Sequence, residues 1–249
     1  MKDNLISVIT PLYNSKHFIS ETLESVLSQS YQNCEMIIVD DCSTDNGADI
    51  VKEFQKKDHR IELIKLKKNS GAAVARNTAI KNAKGRYIAF LDSDDLWHPE
   101  KLEKQIKFMQ DNDYAFTYTN YQKMTESGEL IDEIVKSPSE LDYKKALHTN
   151  YIGCLTAMYD TKKIGKIYMP EIRKRQDYGL WLKILKQVNG HGLNENLAYY
   201  RVRDNSVSSD KINLLKYNWK LYRDIENLSI LRSSYYILYT IVLKLLKKK

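Results

Sequence analysis

Residues 5 to 10 (LISVIT) form an apolar, β-branched run, and after a turn-like PLYNS the spacing changes so that Ile19, Leu23, Val26 and Leu27 share one helical face. The pattern predicts a strand followed by a helix. The alternation repeats: 35 to 39 reads as strand, a helix carries Ile50, Val51 and Phe54, and 61 to 66 reads as strand again. An Asn69-Ser70-Gly71 turn then leads into an Ala-rich helix over about 72 to 83, with Gly85 expected just past its end and 87 to 91 as the next strand. Strands alternating with helices predict an α/β fold on a mostly parallel sheet.

Beyond Asp92 the order is less regular. Pro99 suits the first turn of a helix running to about Asn112, and a strand follows near 115 to 121. Residues 122 to 150 mix Gly, Pro, Ser and charges and read as loop and short helix. A helix around 177 to 187 and a short strand at 197 to 202 come next, and from about Lys211 the chain reads as helical. No internal repeat is visible.

With 249 residues, 43% of them apolar, and only 9 Gly and 4 Pro, the chain has the composition of a folded domain, not of a collagen-like or disordered one. The net charge is +7, but the segment 211–249 holds nine basic residues and two acids, so residues 1–210 are balanced. That gives no argument for a nucleic-acid-binding body and divides the chain into a domain over 1–210 and a basic tail over 211–249. Cys34, Cys42 and Cys154 form no CxxC pair, and Met1 leads into a strand without a basic-then-apolar leader. Both fit a reducing cytoplasm.

Ligands of open α/β sheets collect at the carboxyl ends of the strands, and polar clusters occupy those ends here: Thr10 to Asn14, Asp40 to Asp45, and Asp92 to Asp95. Asp92 and Asp94, two apart on an extended segment, can face one site while Asp95 points elsewhere, toward a cap of the next turn. Two converging carboxylates call for a hard cation, Mg²⁺ or Mn²⁺, that also takes phosphate oxygens. Solvated loop acids that cap a helix are the competing reading. The Asp40-Asp41 pair is open to the same capping alternative, or else contacts a base or ribose. No GxGxxG follows the first strand, which disfavours NAD. The five His residues share no metal-ligand spacing and read as surface or capping residues.

The ordered segments VITPLYN, VDDCSTD, GAAVARN and FLDSDD followed by LWHP resemble the inverting family-2 glycosyltransferases of the GT-A fold, of the bacterial polysaccharide-assembly kind. The resemblance covers roughly residues 5 to 205. It implies a Rossmann-like α/β/α sandwich in which Asp41 contacts the nucleotide base, Pro11 and Tyr13 line the base pocket, and Arg76, with Asn77 beside it, helps hold the nucleotide. The DxD of the family maps onto Asp92-Ser93-Asp94, with Asp94 as the direct metal ligand and Asp92 near the ribose or the metal's waters. Cys42 stands where the family often has Gly, which puts a positive-φ turn there in question. Asp177 corresponds to the catalytic base, with Gln176 in place of the acid that usually precedes it; a single Asp at a helix start is also an ordinary cap. The segment YYRVRDNSVS resembles the part of these enzymes that closes over the diphosphate. Alternation places Arg201 and Arg203 on one side of an extended segment, where both suit phosphate, or where both merely decorate an exposed edge.

The implied reaction is displacement at the anomeric carbon of a nucleotide-activated sugar, with UDP preferred by family frequency and a lipid-linked saccharide as acceptor. Donor, acceptor and linkage specificity are expected in loops such as 122 to 175. In the tail, Tyr235, Leu238, Val242 and Leu245 share a stripe too short to span a bilayer and suited to lying on the inner face of the cytoplasmic membrane. Packing on the catalytic domain, or on a second subunit in a homodimer, is the alternative for the same helix. A sugar nucleotidyltransferase would want a Gly-rich basic loop after the first strand, and PLYNSKH is not that; a non-catalytic sugar-nucleotide-binding protein would bind donor without transfer.

Overall fold

In the computed structural model, which describes residues 2–203 and 211–246, the apolar runs of the first half are strands buried on both faces. β1 (Lys2–Leu12), β2 (Cys34–Asp40), β3 (Ile61–Lys65) and β4 (Gly85–Phe90) alternate with α1 (Ile19–Leu27), α2 (Gly47–Lys57) and α3 (Ala72–Asn82). β5 (Leu96–Trp97), α4 (Lys101–Asp111), β6 (Phe116–Met124), β7 (Leu130–Val135), β8 (Glu140–Leu141) and α5 (Tyr143–Ala146) follow. The chain continues through β9 (Met158–Asp160), α6 (Thr161–Ile164), α7 (Gln176–Leu185) and β10 (Gly190–Arg201) to α8 (Lys211–Lys220) and α9 (Ile230–Leu246).

The sheet runs β3-β2-β1-β4-β9-β6-β10-β5, with β7 paired to β6 and β8 to β10. β3, β2, β1 and β4 are parallel, as are β6 and β10, while the short β9 lies antiparallel between β4 and β6. Period-two alternation divides the core into two layers. Ile6, Val8, Met36, Ile38, Tyr87 and Ala89 face α1, α2 and α4. Ile9, Ile37, Val39, Ile88 and Phe90 face α3 and α7. Strands covered on both sides read as continuous hydrophobic runs, which is why they were legible.

The structure differs from the expectations in definite places. Gly85 opens β4 and does not end α3, whose last turn is closed by Ala83. Glycine is needed there because a Cβ would lie 2.6 Å from the Leu5 carbonyl oxygen and 2.7 Å from Ser7 Oγ. The segment 122–150 contains β7, β8 and α5, whose mostly solvent-facing residues lack an apolar period. The tail is broken by a π-helical turn, Leu221–Ile225, and that turn is core: Leu221 and Tyr222 are fully buried. The Tyr222 hydroxyl donates to Leu147 O (2.8 Å) and lies 3.2 Å from that of Tyr178.

Lys101, at the start of α4, is fully buried with its ammonium 3.7 Å from the Trp97 ring centroid and without a hydrogen-bond partner. Burial alone pushes it well below its ordinary range. Between that lowered value and about 10.4, the unfolded chain binds a proton the folded chain does not, so stability rises with pH across the window. Lys101→Met is therefore expected to be more stable than the parent at pH 7, by roughly 1–3 kcal/mol, with the gap closing as pH approaches 10. Urea denaturation of both proteins over this range measures it, and a pH-independent gap contradicts the assignment.

Candidate active site

Strand register places the polar clusters on one edge of the sheet. Asp40 lies opposite Leu12 on one side and Lys65 on the other, and Ile9 lies opposite Phe90, so the segments after β1, β2, β3 and β4 emerge together. β1 runs past its last pairing with β4, which lets Pro11 continue the strand without breaking that ladder. The first two segments are tied to each other. The Asn14 N–H donates to Ser43 Oγ (3.1 Å), and Asn14 Oδ1 accepts from the Thr44 N–H (2.8 Å). Asp45 accepts from the N–H groups of Lys16 and Gly47, both at 2.9 Å, and Asp40 from that of Ser43 (3.0 Å). Asp40 and Asp45 thus do turn and capping work.

Asp41 is buried and accepts from the N–H groups of Ser70 (2.6 Å) and Gly71 (2.7 Å), at the start of α3. Cys42 adopts φ +59, so the left-handed turn is kept without glycine, and its thiol donates to Leu66 O (3.1 Å). Beside them a cavity of about 270 Å³ lies between 69–74 and 171–173. Tyr13 stands half exposed at the rim of the first segment.

The end of β4 carries three acids within four residues, and each meets a partner distant in sequence. Asp92 pairs with Arg76 of α3. Asp94 Oδ2 accepts from Arg203 Nη1 (2.9 Å). Asp95 does not cap a turn: it is buried and accepts from the Arg201 N–H (2.9 Å). Ser93 turns inward to donate to Ser15 Oγ (2.9 Å). Burial, then the charge of Asp92, pushes the Asp94 carboxyl up; burial, then the charge of Asp94, pushes Asp95 up well above its ordinary range. Burial opposes the charge of Arg76, but Asp92 and the nearby Cys154 and Asp177 outweigh it, so the guanidinium is held more firmly charged than usual. Its Nε and Nη1 are buried with no hydrogen-bond partner among the described residues.

Arg201 and Arg203 lie on one side of the strand end, 5.0 and 4.9 Å from the centroid of the Phe18 ring. Their duties differ. The buried Arg201 guanidinium is fully engaged: Nε donates to Asp94 O (2.8 Å), Nη1 to Glu126 O (2.7 Å) and Nη2 to Glu21 (2.6 Å). To reach a phosphate it would have to loosen one of these partners. Arg203 is part-exposed and, besides the Phe18 ring, meets the Asp94 carboxylate among the described residues.

Asp177 is in the first turn of α7, which Arg175 enters in left-handed conformation (φ +67) with no side-chain cap. It is not a cap either: its Oδ2 accepts from Asn150 Nδ2 (3.1 Å). The approach to α7 is clamped from α3. Asn77 Nδ2 donates to Met169 O (3.0 Å) and its Oδ1 accepts from Met169 N–H (2.8 Å), while Pro170 packs so close to Gly179 that a Cβ there would fall 2.5 Å from its ring. Cys154 lies half-buried among these groups, its thiol pushed up well above the usual range by desolvation, with Arg76 opposing and Asp92, Asp177 and Asp95 adding to the rise. Asn150, Cys154, Glu21 and Phe18 carry no motif signal, and Asn77 was visible only as the neighbour of Arg76.

The division between the two arginines is measurable. Arg201→Ala, which removes a buried guanidinium bonded to Asp94 O, Glu126 O and the exposed Glu21, is expected to cost roughly 1.5–3 kcal/mol in urea denaturation, whereas Arg203→Ala should stay within about 1 kcal/mol of the parent. Equal losses would contradict the distinction.

The model of the glycosyl transferase family 2 matches residues 7–163. A Bacillus subtilis glycosyltransferase named for teichuronic acid biosynthesis, TuaG, is 49% identical over 232 residues, covering 93% of this chain and 92% of that protein. The Escherichia coli UDP-Glc:alpha-D-GlcNAc-diphosphoundecaprenol beta-1,3-glucosyltransferase WfgD is 41% identical over 244 residues, 97% of this chain and 94% of that one. Among solved structures, S. aureus TarS 1-349 in complex with UDP-GlcNAc superposes with a TM-score of 0.73 at 24% identity, over 95% of this chain and 71% of that one. The mannosyltransferase PcManGT from Pyrobaculum calidifontis, in complex with GDP-Man and Mn²⁺, gives 0.70 at 19% identity, over 93% and 69%. These two likenesses are of fold. Matched by the family model over most of its length and by full-length relatives, with the DxD acids, the ARN helix and Asp177 gathered at one sheet edge, the chain belongs to the family-2 glycosyltransferases and has their GT-A fold.

Proposed function

We propose that this chain transfers a sugar, with inversion, from a UDP-activated donor to a hydroxyl of a lipid-linked saccharide during assembly of a cell-surface polysaccharide. The observation that carries the reading is the convergence of Arg76, Asp92 and Asp177 on one another and on Cys154, with Asp94 two residues from Asp92. The UDP donor and lipid-diphosphate acceptor rest on the names of WfgD and of WfaP, which is 45% identical over 208 residues.

The two DxD acids suit a divalent ion. They are part-exposed, two residues apart, and the Asp94 carboxyl is pushed up by its own burial and by Asp92, the condition a cation relieves. Among the described residues no group of three or more His, Cys, Asp or Glu forms a closed cage, which accords with Mg²⁺ or Mn²⁺ keeping waters and taking donor phosphate oxygens. Held by Asp94 and Asp92, such an ion would offset negative charge on the departing diphosphate.

The protein's own groups do the rest. Arg76 keeps two N–H groups without a partner among the described residues, and Arg203, paired with the Asp94 carboxylate, can exchange it for a phosphate oxygen. Asp177, with one oxygen fixed by Asn150, keeps the other free to take the proton of the attacking hydroxyl. The roles divide between them: the carboxylate serves the nucleophile and the guanidinium groups serve the leaving group.

Asp177→Asn is expected to lower turnover by a general-base factor of about 10²–10⁴ with nucleotide affinity near that of the parent. Asp94→Ala should abolish Mn²⁺-dependent donor binding in calorimetric titration. A fully active Asp177→Asn protein refutes the base assignment. Asn77→Ala, which frees Met169, should lower kcat while leaving the KM for donor nearly unchanged; a rise in that KM with kcat intact would place Asn77 on the nucleotide instead.

A further inference from the structure

α9 has two faces of opposite character. Ser233, Tyr236, Ile237 and Thr240, spaced three and four apart, turn inward. Thr240 Oγ1 donates to His148 O (3.1 Å), and the His148 ring lies among those of Tyr235, Tyr236 and Tyr239, at centroid distances of 6.1, 5.1 and 4.6 Å. On the opposite side, Leu231, Tyr235, Leu238 and Val242 repeat with the same spacing and are exposed to 83, 55, 62 and 44%. The inner face already secures the helix; apart from Tyr235, whose ring also approaches His148, the outer apolar stripe adds nothing to its docking and is unfavourable in water.

Charge identifies what covers it. The +7 of the whole chain resides in the segment that contains α8 and α9. Arg232 beside the stripe and Lys216 and Lys220 on α8 are exposed, as is Trp219 to 40%. Of the two acids in the segment, Glu226 is turned inward to Lys186 and Tyr143, leaving Asp224 at the surface. Leu and Val at the acyl boundary, Tyr and Trp at headgroup level and cations around them are complementary to an anionic bilayer surface, not to a second copy of an equally basic segment. At 17 residues α9 is about 25 Å long, and no described helix is long and apolar enough to cross a membrane. It would lie flat.

The inner face gives that contact a consequence. His148, gripped by α9, is two residues from Asn150, which holds Asp177. We propose that α9 docks on an anionic lipid surface through Leu231, Tyr235, Leu238 and Val242, and thereby fixes the height of the Asp177 carboxylate above the lipid from which the acceptor is presented. The second half rests on the function proposed above; the docking does not.

The full chain is sedimented with vesicles of phosphatidylcholine alone and with about one-third phosphatidylglycerol. The parent should bind the anionic vesicles, less so at high salt, and not the neutral ones. Leu231→Glu/Leu238→Glu, both at exposed positions, should unfold at the parent's temperature yet bind at least ~10-fold more weakly, and should transfer normally to a short-chain, water-soluble acceptor while losing transfer to one embedded in vesicles. Parent-like vesicle binding by the double variant overturns the proposal. So does a parent that ignores anionic vesicles and is a dimer that the substitutions dissociate. The vesicle readout decides docking independently of any transfer measurement, so failure of the enzymatic reading is seen separately.

Discussion

Three carboxylates within four residues at the end of β4 cannot stay together in a half-buried site unless each finds a positive or N–H partner, because burial raises the cost of every like-charge contact. Asp92 draws Arg76 from α3, Asp94 draws Arg203, and Asp95 takes the backbone of Arg201. Much of the architecture between residues 76 and 203 exists to deliver those partners. β10 must end beside β4's loop, which requires the antiparallel β9 to join β4 to β6 and β6 to pair with β10. Arg201 is the keystone of that delivery, linking Asp94, Asp95, Glu126 and Glu21.

α3 couples this acid cluster to the rest of the site. Its first turn is held by Asp41, its middle supplies Arg76 to Asp92, and the next residue, Asn77, clamps Met169 on the approach to α7. Neighbours on one helix therefore reach the two ends of the reaction proposed here. The small residues around them, Ala73, Ala75 and Ala79, are buried and allow α3 to lie close on the sheet, so that these short reaches suffice. The tail joins the same structure through Tyr222 and Tyr178 in the core and through α9 on His148, so the segment 211–246 is part of the platform beneath Asp177 as well as its outer surface.

The fold was legible where a local rule was strong. Both-face burial made β1 to β4 readable as apolar runs, and the alternation with α1 to α3 implied the parallel half of the sheet. β5, β8 and β9 were not, because strands of two or three residues are too short to show a period, nor was β7, whose positions are mostly exposed. In the site, the pairing of Arg201 with Arg203 on one side followed from alternation, but their different duties did not: Glu126 and Glu21 approach from elsewhere in the chain. Asn150 had no signal, since a single Asn in a loop acquires a role only when folding brings Asp177 to it.

By itself, then, the amino-acid order determined the α/β class, the acids at the carboxyl ends of strands and an apolar stripe on the helix at the end of the chain. Those follow from periodicity, which is a property of neighbours. Only the tertiary structure decided which arginine answers which aspartate, that Cys42 keeps a left-handed turn, and that one face of α9 is spent on His148. These depend on contacts across tens to more than a hundred residues, set by strand order and helix packing, and no local pattern encodes them.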